Sequence, residues 1–268
     1  MRHVLLWILL LLNPYRLSIA AVDTTAMIIS ILLYFIAIPI SIASKSGEGS
    51  PPQTNPFQER LFSELCGLDG NTSSNVPIDG RDHPVSCGAR FKNIDSLPFL
   101  DALVKETLRL RAAGPCTQLR VVPPGRTLSI QGLLIPSGTE VGVHPWTMHR
   151  KDNVWERAEE FIPERWLPSN LGGWGPEPGS DSYDEMTKHF MPFGNGVRIC
   201  AGRNMALMET KLVVGSLVRH FEIKVDRRET NDRTMEPRDS HFVSHHLSRK
   251  CFQAKSMHPD HISEIRGV

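Results

Sequence analysis

Phe193-Gly194-Asn195-Gly196-Val197-Arg198-Ile199-Cys200-Ala201-Gly202 sets one cysteine in a glycine-rich loop, beside an arginine and just ahead of a helical pattern. The glycines let the backbone bend and come close to a flat partner, and Arg198 supplies a cation for an acidic group. A helix starting at or just after Cys200 would aim its unpaired N–H groups and the positive end of its dipole at the sulfur. Such surroundings suit a cysteine acting as a soft ligand to iron. The plainer alternative is a structural cysteine buried in a tight turn.

Three upstream segments bear on that choice. Lys105-Glu106-Thr107-Leu108-Arg109 places Glu106 and Arg109 three apart, so on a helix they share a face and can pair. An exposed pair of this kind would be an ordinary surface salt bridge of little worth. Phe161-Ile162-Pro163-Glu164-Arg165-Trp166 follows, and Ala20-Ala21-Val22-Asp23-Thr24-Thr25 lies near the N-terminus. The cysteine loop matches Phe-x-x-Gly-x-Arg-x-Cys-x-Gly at Phe193, Gly196, Arg198, Cys200 and Gly202. A chance match at five fixed positions has a probability on the order of one in ten thousand in a chain this long. The chain thus resembles the cytochrome P450 family. Its Glu-x-x-Arg helix corresponds to Glu106 and Arg109, its Pro-Glu-Arg-Phe segment to 163–166 with Trp166 in place of Phe, and its oxygen-activating helix to 20–25 with Ala21 in place of Gly.

The resemblance implies a fold that is mainly α with a small β meander, here the C-terminal half of the cytochrome P450 fold. It implies haem (iron protoporphyrin) as cofactor, with Cys200 as the metal ligand and Phe193, Gly196, Arg198 and Gly202 shaping the loop around it. Arg198 and Arg120 are expected against the haem propionates, with His149 a further propionate candidate. Asp23 and Thr24 are expected to relay protons, although threonines within helices often bond only their own backbone. Glu106, Arg109 and Arg165 are expected to form a buried structural network behind the cysteine loop, fixing geometry more than adding stability. The implied activity is that of a haem-thiolate monooxygenase that inserts one oxygen atom of O2 into a small apolar organic substrate. Electrons would come from a separate reductase, since the sequence carries no Gly-x-Gly-x-x-Gly fingerprint.

Composition sets bounds on this reading. The chain has 268 residues, 40% hydrophobic and 22% charged, with a net charge of +1, which is ordinary globular composition. Without a basic stripe interleaved with aromatics, nucleic acid is not expected as a partner. The five cysteines, Cys66, Cys87, Cys116, Cys200 and Cys251, show neither zinc spacing nor a disulfide framework. His241, His245, His246, His258 and His261 match no ligand spacing and read as surface residues. Residues 4–12 are an unbroken apolar run, too short to span a bilayer and compatible with a signal peptide. Residues 17–43 are long enough to span, but Asp23 would be costly within a bilayer. The resemblance offers instead a helix buried inside the protein and apolar on nearly all sides. It also implies a membrane-associated protein at the cytoplasmic face of the endoplasmic reticulum.

Along the chain, residues 1–18 form a hydrophobic leader with no counterpart in the family. Residues 19–225 read as a partial cytochrome P450 domain, with 38–54 a Ser-, Gly- and Pro-rich insertion. Helices are predicted over 20–37, after the Asn55-Pro56 turn and over 97–111, where Gly114-Pro115 follows. Loops are predicted over 67–90 and 177–184. Four short β-rich runs fall between Arg120 and Val143. A helix is predicted from Cys200 towards Phe221, then an alternating strand, and 226–268 is polar and expected to be weakly ordered. Two rivals stand beside the monooxygenase: an inactive fragment that lacks turnover, and a single-pass membrane interaction protein.

Overall fold

The computed structural model describes residues 19–38, 55–67, 94–226, 230 and 235, together with the backbone of 252–256 and 264–266. The leader over 1–18, most of the insertion, most of the 67–90 loop and the histidine-rich stretch lie outside these residues. Among the described residues no helix is long and apolar enough to cross a membrane.

Helix α1 (Thr24–Ala37) is entered through a π-helical turn, Ile19–Asp23. It buries Ile28, Ile31, Leu32, Leu33, Tyr34 and Ile36, so residues on nearly every side meet protein, as the all-round apolar sequence requires. Pro39 follows in the sequence, and the restriction it places on its predecessor matches the extended backbone of Ile38. The Asn55 side chain donates to the carbonyls of Phe35 and Ile38 and accepts from Phe57 N (2.8 Å). One residue thus secures the end of α1 and caps α2 (Pro56–Cys66), whose first position is a proline.

Helix α3 (Pro98–Leu110) starts at Leu97, which offers no capping side chain. Glu64 of α2 takes that part, its carboxylate accepting from Phe99 N (2.8 Å) and Leu100 N (3.0 Å). Burial raises the pKa of Glu64, with these two N–H donors acting against the shift.

Four strands follow: β1 (Gln118–Val121), β2 (Leu128–Ile130), β3 (Leu133–Ile135) and β4 (Glu140–Val143). The small antiparallel unit is nested, β2 pairing with β3 inside a wider β1–β4 pair. Gln131 and Gly132, both at positive φ, make the two-residue turn of the inner hairpin. A short helix α4 (Pro145–Met148) and a 3₁₀ turn (Pro163–Trp166) precede α5 (Asp181–His189). The loop expected over 177–184 therefore ends early. Ser180 caps α5 by accepting from Tyr183 N (3.2 Å), and Asp181 and Asp184 sit in the first turn where the helix dipole favours them.

Helix α6 (Arg203–His220) runs straight into strand β5 (Phe221–Val225). β5 pairs antiparallel with β6 (Phe252–Ser256), which pairs with β7 (Glu264–Arg266). Both added strands come from the segment 226–268, whose polar sequence carries little strand signal. The core joins α1, α2, α3, α6 and β5 through Leu32, Ile36, Leu61, Leu65, Leu100, Leu103, Val214, Val218 and Ile223. Gln58 exchanges two hydrogen bonds with the Ile223 backbone (3.1 and 2.7 Å), fastening α2 to β5.

Candidate functional site

The cysteine loop closes on itself. Cys200 N donates to Phe193 O (2.9 Å), Gly194 N to Met191 O (3.1 Å) and Ile199 N to Gly196 O (3.1 Å). Gly194 and Gly196 both take positive φ (74° and 68°), which a side chain would strain. At Gly194 a Cβ would also stand 3.0 Å from the Gln118 carboxamide of β1. Phe193 packs onto the main core and anchors one end of the loop. Gly202 at the other end is the N-cap of α6, and a Cβ built on it would lie 3.9 Å from Cys200 Sγ. The sulfur therefore lies beside the N-terminal end of α6, as the sequence predicts. Cys200 is a free, exposed thiol, so the structural cysteine buried in a turn does not describe it.

Behind the loop stands a buried ionic network. Glu106 and Arg109 are both 0% exposed and Arg165 is 2% exposed. Arg109 Nε and Nη2 donate to the two Glu106 oxygens at 2.9 Å each, and Arg165 Nε donates to Oε1 at 3.1 Å. Ile162 N (2.9 Å) and Trp166 Nε1 (2.9 Å) complete a carboxylate with five donors. Arg109 spends its other N–H groups on the carbonyls of His149 (2.8 Å), Ala158 (2.7 Å) and Glu160 (3.0 Å). Burial lowers the pKa of Arg165, against the pull of Glu106. Trp155 lies 5.4 Å from Arg109 and Trp174 lies 5.3 Å from Arg165, measured from ring centroid to guanidinium carbon. Such a cluster holds three chain segments in one arrangement, because every buried charge has partners only there.

The cytochrome P450 family model matches residues 81–251, a span that takes in both the network and the cysteine loop. The chain belongs to the cytochrome P450 family. Pisatin demethylase of Fusarium vanettenii is 33% identical over 213 residues, covering 77% of this chain and 33% of that protein. The cytochrome P450 monooxygenase dtxS2 of Metarhizium robertsii is 38% identical over 135 residues, covering 50% and 25%. Fusicoccadiene C-8 hydroxylase of Alternaria brassicicola is 34% identical over 148 residues, covering 55% and 26%. The chain thus spans about a quarter to a third of the length of the curated relatives it matches.

Haem is the cofactor of cytochrome P450 proteins, and the donor set here fits it. The thiol of Cys200 is open to solvent and the loop around it presents Val197, fully exposed, and Ile199. Leu119 and Val121 of β1 and Met205 of α6 are exposed as well. Arg198 is exposed and has no carboxylate partner among the described residues. Arg120 is exposed too, and among the described residues its guanidinium donates to the neighbouring Leu119 carbonyl (2.7 Å). An apolar surface with one free thiol and two available guanidinium groups suits a flat, largely apolar ring that carries carboxylates.

Two further groups of expected site residues remain. Asp23 is exposed and ends the π turn, and Thr24 is half-buried at the start of α1. Their helix packs on the core that α6 also enters, through Ile28, Leu32 and Ile36. π turns next to α-helices are frequent at functional sites. His149 departs from its expected place against a propionate. It is 1% exposed, with Nδ1 3.0 Å from Arg109 O and Nε2 accepting from Met191 N (2.9 Å), so neither ring nitrogen is left for a ligand. Sequence reasoning also passed over Trp166 as a donor to Glu106. Its replacement of phenylalanine was the signal, since only the indole brings an N–H.

Proposed function

We propose that this chain forms the haem-thiolate part of a cytochrome P450 monooxygenase, which inserts one oxygen atom of O2 into a small apolar organic substrate. The observation that carries the reading is the free Cys200 thiol on a closed loop, beside a helix N-terminus and flanked by Arg198. The monooxygenases and hydroxylase among its relatives support the same reaction class. When bound, haem supplies the activation of dioxygen. Cys200 would hold the iron through sulfur, with Phe193, Gly196 and Gly202 keeping the loop in place. Arg198 and Arg120 would orient the ring through its carboxylates. Asp23 and Thr24 would deliver protons from the solvent side of α1. A separate reductase is the implied electron donor, and a membrane-associated location at the endoplasmic reticulum belongs to the same reading, supported by the eukaryotic sources of the relatives.

A second reading has an observation in its favour. Leu119, Val121, Leu133, Leu134, Val197 and Met205 all stand exposed, much large apolar side chain for a chain acting by itself to leave in water. On this account the chain would neither hold haem nor turn over substrate. One experiment separates the two. The chain is expressed with haem available, reduced and exposed to carbon monoxide, and its Soret band recorded. A strongly red-shifted thiolate-type band that Cys200→Ala abolishes supports the first reading. Absence of haem uptake by the unaltered chain overturns it in favour of the second.

A further inference from the structure

The network around Glu106 and the loop that carries Cys200 are separate hydrogen-bonded units, and one imidazole lies between them. We propose that His149 is a positioning residue that transmits the placement of the α3 network to the cysteine loop. The ring touches both units with opposite chemistry. Nδ1 lies 3.0 Å from the carbonyl of Arg109, the last charged residue of α3, and must donate there. Nε2 accepts from the amide of Met191 (2.9 Å), whose own carbonyl holds Gly194 N (3.1 Å) at the start of the loop. Two residues on from Met191, Phe193 O receives the amide of Cys200 itself (2.9 Å).

The histidine is also held from behind. Its carbonyl accepts from Arg109 Nη1 (2.8 Å), its amide donates to Pro145 O (2.9 Å), and Phe190 packs 5.6 Å from the ring. Arg109 thus meets His149 twice, through side chain and backbone, so a shift of α3 moves the imidazole with it. Only the neutral Nδ1–H tautomer can serve the Arg109 carbonyl and the Met191 amide at once. Burial keeps the ring in that form, lowering its pKa to about 3, with the nearby Arg109 and Arg150 charges acting in the same direction.

This inference rests on the proposed function only for its consequence at the sulfur. Its test needs no haem, so the two can fail separately. Amide hydrogen exchange is measured on the whole chain and on His149→Leu, His149→Asn and His149→Gln. Leucine fills much of the space with neither donor nor acceptor. The glutamine carboxamide carries both and can span the two partners, while asparagine is too short for both. In the leucine variant the amides of Met191 and Cys200 should exchange at least about tenfold faster while those in the middle of α3 keep their protection. Glutamine should restore most of that protection and asparagine little of it. Unchanged exchange across 191–200 in the leucine variant would overturn the proposal. So would a uniform rise in α3 and the loop together, since that marks general loss of packing. Should the leucine variant fail to fold, equal loop exchange in the asparagine and glutamine variants would overturn it just the same.

Discussion

Trp166→Phe removes a single N–H from the Glu106 carboxylate and leaves most of the surrounding packing. The indole Nε1 donates to Glu106 Oε2 at 2.9 Å, and the ring lies 4.7 Å from Phe190 and 5.5 Å from Trp155, contacts that a phenyl ring can largely keep. A hydrogen bond to a charged group contributes about 1.5–3 kcal/mol. Oε2 retains Arg109 Nε at 2.9 Å, so the oxygen is not orphaned and the loss should fall near the lower end. The smaller ring gives up some buried apolar surface, which adds roughly 0.5–1 kcal/mol at 25 cal/mol per Å2. We therefore expect a loss of about 2–3 kcal/mol, read as a lower urea midpoint at unchanged slope. A loss below about 0.5 kcal/mol would refute the view that this indole is a working member of the network, because neither estimated contribution is that small.

Lys211 on α6 holds Asp95 Oδ1 (2.8 Å) and Asp101 Oδ1 (2.7 Å), and Lys211→Met should cost about 1–3 kcal/mol in urea unfolding, less than a fully buried pair because both aspartates reach solvent. The Asp101 pKa is lowered in the fold: burial is the largest single influence and acts upwards, but Lys105 and Lys211 together outweigh it. Because the folded pKa lies below the unfolded one, the stabilisation is complete above the ordinary aspartate range. It fades as pH falls below about 4 towards the folded value, and Asp101→Asn should flatten that part of an acid-unfolding profile. Gly175→Ala would place a Cβ 2.2 Å from the backbone carbonyl of Arg165, and should lower thermal stability by about 1–3 kcal/mol through displacement of the Pro163–Trp166 turn. Cys200→Ala, by contrast, should leave the urea midpoint within about 0.5 kcal/mol, because the thiol is exposed and its side chain holds no element together.

Much of the framework could be read from local pattern. The helices over Pro98–Leu110 and Arg203–His220, the Asn55-Pro56 start of α2 and the strand Phe221–Val225 lie within a few residues of where periodicity and caps put them. The α5 helix was hidden because 177–184 is rich in Gly, Pro, Ser and Asp, yet Ser180 followed by acidic residues was a legible cap. β6 and β7 carried no comparable sign. Their pairing with β5 is a backbone interaction, and nothing local in a polar stretch states which strand it will join.

At the site the same division holds, residue by residue. The family resemblance carried by the motifs singled out Cys200, Arg198 and the pair Glu106 and Arg109, whereas spacing by itself left the pair an ordinary surface salt bridge. The part played by His149 was beyond reach, since its partners at Arg109 and Met191 stand about forty residues away on either side. A lone histidine in a sequence shows that it can donate, accept or bind a ligand. Which of these it does depends on the groups that packing brings within 3 Å, and the close approach of α3, α4 and the segment entering the cysteine loop exists only in the assembled core.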